Sequence, residues 1–374
     1  MSGKQKSTRR DFLVGRAMVR AVEDLLPAES PPEPESLRRL EPTEGASSDR
    51  SASAAYVIQV ARDAMACQFE VMLNAGQHTH GTEAALDALD LVERLEQQLT
   101  VYRTTSEVSR LNQLAHAGPV RVEKRLFRLL ELAVELFQST GGAFDITSGP
   151  LTKAWGFYRR EGRFPAADEL AEALTKVGSR GLLLDPSNQT VAFQHPELEI
   201  NLGAIGKGYA LDRCAELLLE RGVTDFLLHG GGSSVLARGR RWDGQAEQAG
   251  WSIGLRHPLR YEQRLAEIWL DNQASATSGS GNQFFHFQGQ RYGHVIDPRT
   301  GYPADRLLSS TVLAPDAATA DALATAFYVL GVEPSLEICR QRPELAAVLI
   351  RATERRGEVE LITAGLDDHQ WRRL

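Results

Sequence analysis

The sequence predicts an α+β fold, and three observations carry that prediction. Short alternating or continuous apolar runs, the mark of strands, recur along most of the chain. Helical stripes interrupt them in no strict strand–helix–strand rhythm. No internal repeat of fixed period suggests a solenoid.

Size and composition fit one large domain or two smaller ones: 374 residues, 42% hydrophobic, and 42 Lys and Arg against 49 Asp and Glu for a formal charge of −7. No run of basic residues tracks a polynucleotide backbone, so nucleic acid is not an expected partner. Cys67, Cys214 and Cys339 lie far apart and form no CxxC pair; they read as buried free thiols. No stretch approaches the ~18 apolar residues of a membrane span. Thr8-Arg9-Arg10-Asp11-Phe12-Leu13 is similar to a twin-arginine export signal, but Arg16, Arg20, Glu23 and Asp24 break the apolar stretch that should follow. A cytoplasmic location is favoured, with export through that start as the alternative.

Residues 27–53 are rich in Pro, Glu and Ser and poor in large apolar side chains, so burial cannot offset their ordering entropy. Residues 1–53 therefore read as a flexible N-terminal arm and linker, and residues 54–374 as the folded domain. The run 56–73 reads as two strands joined at Arg62–Ala66. Leu86, Leu89, Val92 (or Leu91), Leu95 and Leu99 predict a helix. A second helix covers 123–139, with Leu126, Leu129, Leu130, Ala133, Val134 and Phe137 on one face and Gly141-Gly142 as its stop. Strands are expected at 181–185, 190–193, 225–229, 250–255, 265–270, 284–287, 310–314 and 346–351, and helices at 207–221 and 317–331.

Several stretches carry candidate chemistry. In NLGAIGKGYALDR (201–213), Gly203, Gly206 and Gly208 allow backbone N–H groups to approach an anion, the helix behind adds partial positive charge, and Lys207 adds a full one. A glycine-lined helix start packed on a sheet explains the same residues. In GGAFDITSGPLTKAWGF (141–157), Asp145 stands between Phe144 and Ile146 and must find donors, or caps the next turn. In TADALATAFYVLG (319–331), Asp321 and Thr325 share a helix face, which suits hard-oxygen ligation of Mg²⁺ or merely an acid placed for the helix dipole. Tyr102 either stacks on a ring system or is a buried tyrosine. FLLHGGGSSVLARG (226–239) reads as a strand ending in a glycine-rich turn. In GQRYGHVIDPRTGYP (289–303), an imidazole, a carboxylate and a guanidinium sit within six residues, more than a plain turn needs.

Taken in order, MACQFEV, YRTTSEVSRLN, GGAFDITSGPLTKAWGF, NLGAIGKGYALD, LHGGGSSVLARG, ATSGSGNQFF…YGHVIDPRTGYP and TVLAPDAATADALATAFYVLG resemble the ApbE family of FAD:protein FMN transferases, over roughly residues 55–365. The resemblance implies a T-fold-like architecture of largely antiparallel sheets with packed helices. It also implies Mg²⁺-dependent transfer of FMN from FAD to a Thr or Ser hydroxyl of an acceptor protein, with release of AMP. Carried over by motif, Asp321, Thr325 and the Ala204 carbonyl become Mg²⁺ ligands. Met65, Tyr102, Ala143, Phe144, Asp145, Asn201, Lys207 and Ile296 become FAD contacts. His294 becomes the base for the incoming hydroxyl, and Asp297 its support. The chain departs from the family pattern at Asn201, where Asp is usual, at Met65-Ala66-Cys67 in place of Met-Gly-Thr, and in SGNQFFHF (280–287). An FAD-binding or FAD-hydrolysing protein without an acceptor, and a non-catalytic scaffold, are the alternatives.

Overall fold

The computed structural model describes residues 56–242, 250–279, 281, 283–355 and 357–374. The expected arm and linker over 1–53, with the twin-arginine-like start, lie outside the described residues. The first elements are a hairpin of β1 (Val57–Ala64) and β2 (Cys67–Asn74). Its joint is shorter than the Arg62–Ala66 expected, because β1 stays paired to Ala64 and only Met65 and Ala66 turn. Both have positive φ, 50° and 60°. That turn matches the strand twist, yet holding two residues with Cβ atoms there costs roughly 1–3 kcal/mol each.

Next come α1 (Gly81–Leu99), α2 (Glu107–Leu114), β3 (Val120–Arg121), α3 (Lys124–Ser139), α4 (Gly149–Ala154) and α5 (Ala167–Thr175). The inner face of α1 is Ala84, Ala85, Ala88, Leu89, Val92, Leu95 and Leu99; Leu86, expected on it, is 44% exposed. Alanines do what a leucine stripe was expected to do, since short side chains bring the helix close to its neighbours. α3 ends as predicted, with Gly141 and Gly142 both at positive φ and the Gly142 N–H returning to the Phe137 carbonyl. Then follow β4 (Leu182–Asp185), β5 (Thr190–Phe193), α6 (Gly206–Glu220), β6 (Phe226–Gly230), β7 (Ser234–Arg238), β8 (Trp251–His257), β9 (Arg260–Leu270), β10 (Ala274–Gly279), β11 (Phe284–Phe287) and β12 (Gln290–Gly293). The last elements are β13 (Ser309–Ala314), α7 (Ala317–Leu330), α8 (Val332–Gln341), β14 (Ala346–Ala352), β15 (Val359–Ala364) and β16 (Trp371–Arg373).

The main sheet has eight strands in the order β1-β2-β6-β7-β10-β13-β14-β15, and each of its pairings is antiparallel. The fold is thus α+β, as the sequence predicts. Both faces of the sheet are covered, so its strands send alternate residues into two cores. Phe69, Val71, Phe226, Leu228, Leu236, Ala276 and Val312 join the helices in one core. Leu227, Val235, Leu313, Val348 and Ile350 join Trp251, Leu255, Ala266 and Ile268 from the small sheet β16-β9-β8 in the other. A third cluster gathers Leu151, Ala154, Trp155, Phe157, Leu170, Ala173 and Ile296.

The helix α7 positions the site. Every residue from Ala317 to Leu330 except Thr325 is buried, which is the state expected of a helix apolar on all sides. It packs on β10 and β13 and against α6. The two helices come closest at Gly208, where a Cβ would lie 2.0 Å from the Ala317 carbonyl oxygen. No side chain fits without separating the helices. Gly208→Ala should therefore destabilise the protein by at least about 2 kcal/mol, an overpacking cost, read as a lower denaturation midpoint; an unchanged midpoint would contradict this packing.

Candidate active site

Two polar segments meet where α6 and α7 touch. Asp321, one turn into α7, is buried, and its oxygens collect three donors. Lys207 Nζ stands 3.2 and 3.3 Å from Oδ1 and Oδ2, the Gly208 N–H donates to Oδ2 at 3.1 Å, and the Ser234 hydroxyl donates to Oδ1 at 3.1 Å. A carboxylate so placed would cost several kcal/mol without such partners. Gly208 is the third residue of α6, so its N–H has no partner within the helix and is free to meet that carboxylate. Ala204, the third ligand of the sequence reading, lies just before Ile205, the N-cap of α6.

Thr325 lies one turn beyond Asp321. Its hydroxyl donates to the Asp321 backbone carbonyl at 3.3 Å and is 3.1 Å from the Ser278 hydroxyl. Ser310, directly across from Ser278 in the β10–β13 pairing, is fully buried, and its hydroxyl has no partner among the described residues. Together these side chains offer one carboxylate and several hydroxyls. Among the described residues there is no group of three or more His, Cys, Asp or Glu side chains that could hold a metal. This donor set suits Mg²⁺, a hard cation that takes one or two carboxylates and fills its other positions with water and substrate phosphates. It does not suit a cation that needs an all-protein cage.

His294 stands in the loop after β12, within reach of the Lys207 charge. Its Nδ1 lies 3.2 Å from the Gln283 carbonyl, which can only accept, so Nδ1 carries the proton and the Nε2 lone pair is left. Burial, and then the nearby Lys207 charge, hold its pKa below the usual histidine value, which keeps the ring neutral. The rest of the loop is a clamp. Both carboxylate oxygens of Asp297 accept from the Arg299 guanidinium at 2.8 Å, and Oδ1 also accepts the Arg299 N–H. Gly301, at φ 78°, donates to the Asp297 carbonyl, and Trp155 Nε1 donates to the Gly301 carbonyl at 2.7 Å. The Ile296 side chain is anchored in the Trp155 cluster.

The other candidates line the approach or support it. Ala143 and Phe144 are core. Asp145 is buried, and its carboxylate accepts from the Thr147 and Ser179 backbone N–H groups and from both hydroxyls, at 2.6–3.2 Å. It ties the loop after α3 to the turn before β4. Asn201 Oδ1 accepts the Gly203 N–H at 2.9 Å, an Asx turn that Asp would make equally well. Asn201 also lines a groove of about 380 Å³ with Lys153, Tyr158 and Glu199. Tyr102 is 68% exposed, its ring 4.9 Å from that of Tyr158, so it is a surface aromatic, not a core one. Met65 occupies the β1–β2 turn next to Cys67. Burial raises the Cys67 thiol pKa against the opposing Lys207 charge; both side chains flank Gly231, where a Cβ would lie 2.9 Å from Cys67 Sγ and 3.9 Å from Lys207 Cδ.

Ser234 and Ser278 escaped the sequence reading. Ser234 follows the GGG run that reads as a plain turn, and Ser278 lies in a strand of Ala, Ser, Thr and Gly with no apolar signal. Only their registers point them at α7.

The ApbE family profile matches residues 65–349, about three quarters of the chain. The chain belongs to the ApbE family. It is 32% identical over 308 residues to the FAD:protein FMN transferase of Haemophilus influenzae, covering 80% of this chain and 87% of that one. It is 34% identical over 279 residues to that of Treponema pallidum, covering 71% and 77%. The solved ApbE flavin transferase of Vibrio cholerae superposes with a TM-score of 0.73 at 28% identity, covering 83% of this chain and 97% of the other. The ApbE protein of Thermotoga maritima gives 0.72 at 28%, covering 82% and 97%.

Within this ApbE chain the clamp on the histidine loop can be tested directly. Trp155→Phe keeps an aromatic ring but removes the bond to Gly301, a contribution of about 1 kcal/mol. Hydrogen exchange over 294–303 should become several-fold faster with little change elsewhere; unchanged exchange would show that the bond does not hold the loop.

Proposed function

We propose that this chain is a Mg²⁺-dependent FAD:protein FMN transferase, with residues 54–374 as its catalytic domain. The reading is carried by the convergence of Lys207, Asp321 and Ser234 at the α6–α7 contact, with His294 within reach of the Lys207 charge. In the reaction, the hydroxyl oxygen of an acceptor Thr or Ser bonds to the phosphorus of the FMN half of FAD. The bond from that phosphorus to the bridging oxygen breaks, and AMP leaves with it.

Each residue has work that its surroundings allow. His294 Nε2, unprotonated at neutral pH, accepts the proton of the incoming hydroxyl. Asp297 and Arg299 hold the loop that carries it. Lys207 offsets diphosphate charge, and the glycine-rich start of α6 allows backbone N–H groups close to the same anion. Tyr102 and Tyr158 offer flat surfaces to a ring system, and Asn201 shapes the adjoining loop. Asp321, Thr325 and the Ala204 carbonyl would hold Mg²⁺. Bound there, it would neutralise the charge that develops on the phosphate oxygens. Asn201 keeps the Asx turn but carries no charge, so charge in this part of the site rests on Asp321.

Incubation with FAD, Mg²⁺ and an acceptor protein should leave fluorescent flavin on the acceptor after denaturing electrophoresis. AMP and free FMN without labelled protein would replace transfer by hydrolysis. Asp321→Ala should lower turnover by about 100-fold or more, the scale of losing a central electrostatic group; an unchanged Mg²⁺ requirement in that variant would remove Asp321 from the metal's surroundings.

The pH dependence has a definite sign. The His294 pKa is lowered, and the base acts in its neutral form. The acid limb of the kcat/KM profile should therefore fall below pH 6.5, the ordinary histidine value. His294→Gln should remove that limb and most transfer while FAD still binds. An acid limb above that value would contradict the burial of the ring.

A further inference from the structure

Asp212 belongs to none of the groups assigned so far, yet it spans the two halves of the site. It lies on α6 one turn after Gly208, on the same face. Its Oδ1 accepts the Ala317 N–H at 2.7 Å and its Oδ2 the Ala318 N–H at 2.8 Å. These are the first two N–H groups of α7, which have no partner within their own helix. The third, on Thr319, is taken by Asp316 from α7's own N-cap at 2.7 Å. Two carboxylates thus cap one helix, and only that of Asp212 comes from another element.

We propose that Asp212 is a positioning residue that sets the spacing and rotation of α7 against α6, and through them the divalent-cation side of the site. Gly208 allows the helices to touch at Ala317, and Asp212 pins that first turn with two bonds in a fork. A single bond would leave α7 free to turn about it; two do not. Asp321 follows Ala317 by one turn, so its distance from the Gly208 N–H and from Lys207 is set by the same fork. Asn cannot replace it: its amide group would face one of the two N–H donors with N–H bonds of its own. The proposal rests on the reading of Asp321 and Thr325 as metal ligands in an FMN transferase.

The test compares Asp212→Asn with Asp316→Ala in the full chain, at about pH 8, above the value of about 7 to which burial raises Asp212. Both remove part of the same helix cap; only the first cuts the tie between helices. Two readouts apply, and neither is activity. One is Mn²⁺ affinity in the presence of FAD, by electron paramagnetic resonance. The other is hydrogen exchange of the Gly208 N–H, which donates to Asp321.

Asp212→Asn should weaken Mn²⁺ binding about 10–100-fold, the range for groups that orient metal ligands, and speed Gly208 exchange. Asp316→Ala should lower stability by about 1 kcal/mol, with both readouts near wild type. If Asp212→Asn leaves both unchanged, or Asp316→Ala shifts them equally, the proposal is overturned. If the wild type binds no Mn²⁺ with FAD, the metal reading fails, and Gly208 exchange alone decides on Asp212 by the same comparison. Should the Asn variant not fold, Asp212→Glu keeps both acceptors but lengthens the arm by one methylene; faster Gly208 exchange is expected there too, and wild-type exchange would overturn the proposal.

Discussion

Two helices touch through bare backbone at Gly208 and Ala317, and the arrangement of the site follows from that contact. A side chain at position 208 would push α7 away from α6. With none there, a carboxylate on one helix can accept from the backbone N–H and the lysine at the start of the other. The same closeness makes the carboxylate buried, which would be costly were its oxygens not matched by Lys207, Gly208 and Ser234. Packing and charge placement are here one constraint: the helices approach because the residue is glycine, and the acid is tolerated because they approach.

The histidine loop divides its polar residues by task. Asp297 and Arg299 look from their spacing like partners of the imidazole, but they pair with each other in a bidentate bridge. With Gly301 and the Trp155 indole they make the turn rigid. That leaves His294 unpaired with either of them, within reach of the Lys207 charge and with its tautomer set by the Gln283 carbonyl. A base that must meet a moving hydroxyl gains from such a mount, because orientation settled in advance need not be settled during the reaction.

The departures from the family pattern also have a physical reading. Asn201 keeps the turn that its position needs, because an Asx turn uses only the side-chain oxygen. What it gives up is charge, not shape. Cys67 sits within reach of the field of Lys207 and Asp321, yet burial outweighs the lysine and favours the neutral thiol. Both changes leave the skeleton of the site intact, and only that at Asn201 removes a charge.

Periodicity and turn chemistry determined much of the fold from sequence alone: the first hairpin, α1, the Gly-Gly stop of α3, the α6 glycines and the helix α7. The ordered motifs brought the family and the candidate residues with them. The inner face of α1 was misplaced at Leu86, because alanine carries little hydrophobic signal and yet packs closest. The β10 strand went unseen for a similar reason, being small residues at the centre of a sheet. Only tertiary structure decided that Ser234 and Ser278 face α7, that Asp145 serves a buried hydrogen-bond network, and that Asp212 caps a helix 105 residues away. A residue's identity is local information. The direction in which its side chain points depends on the register and contact of distant segments, which exist only once the chain is packed.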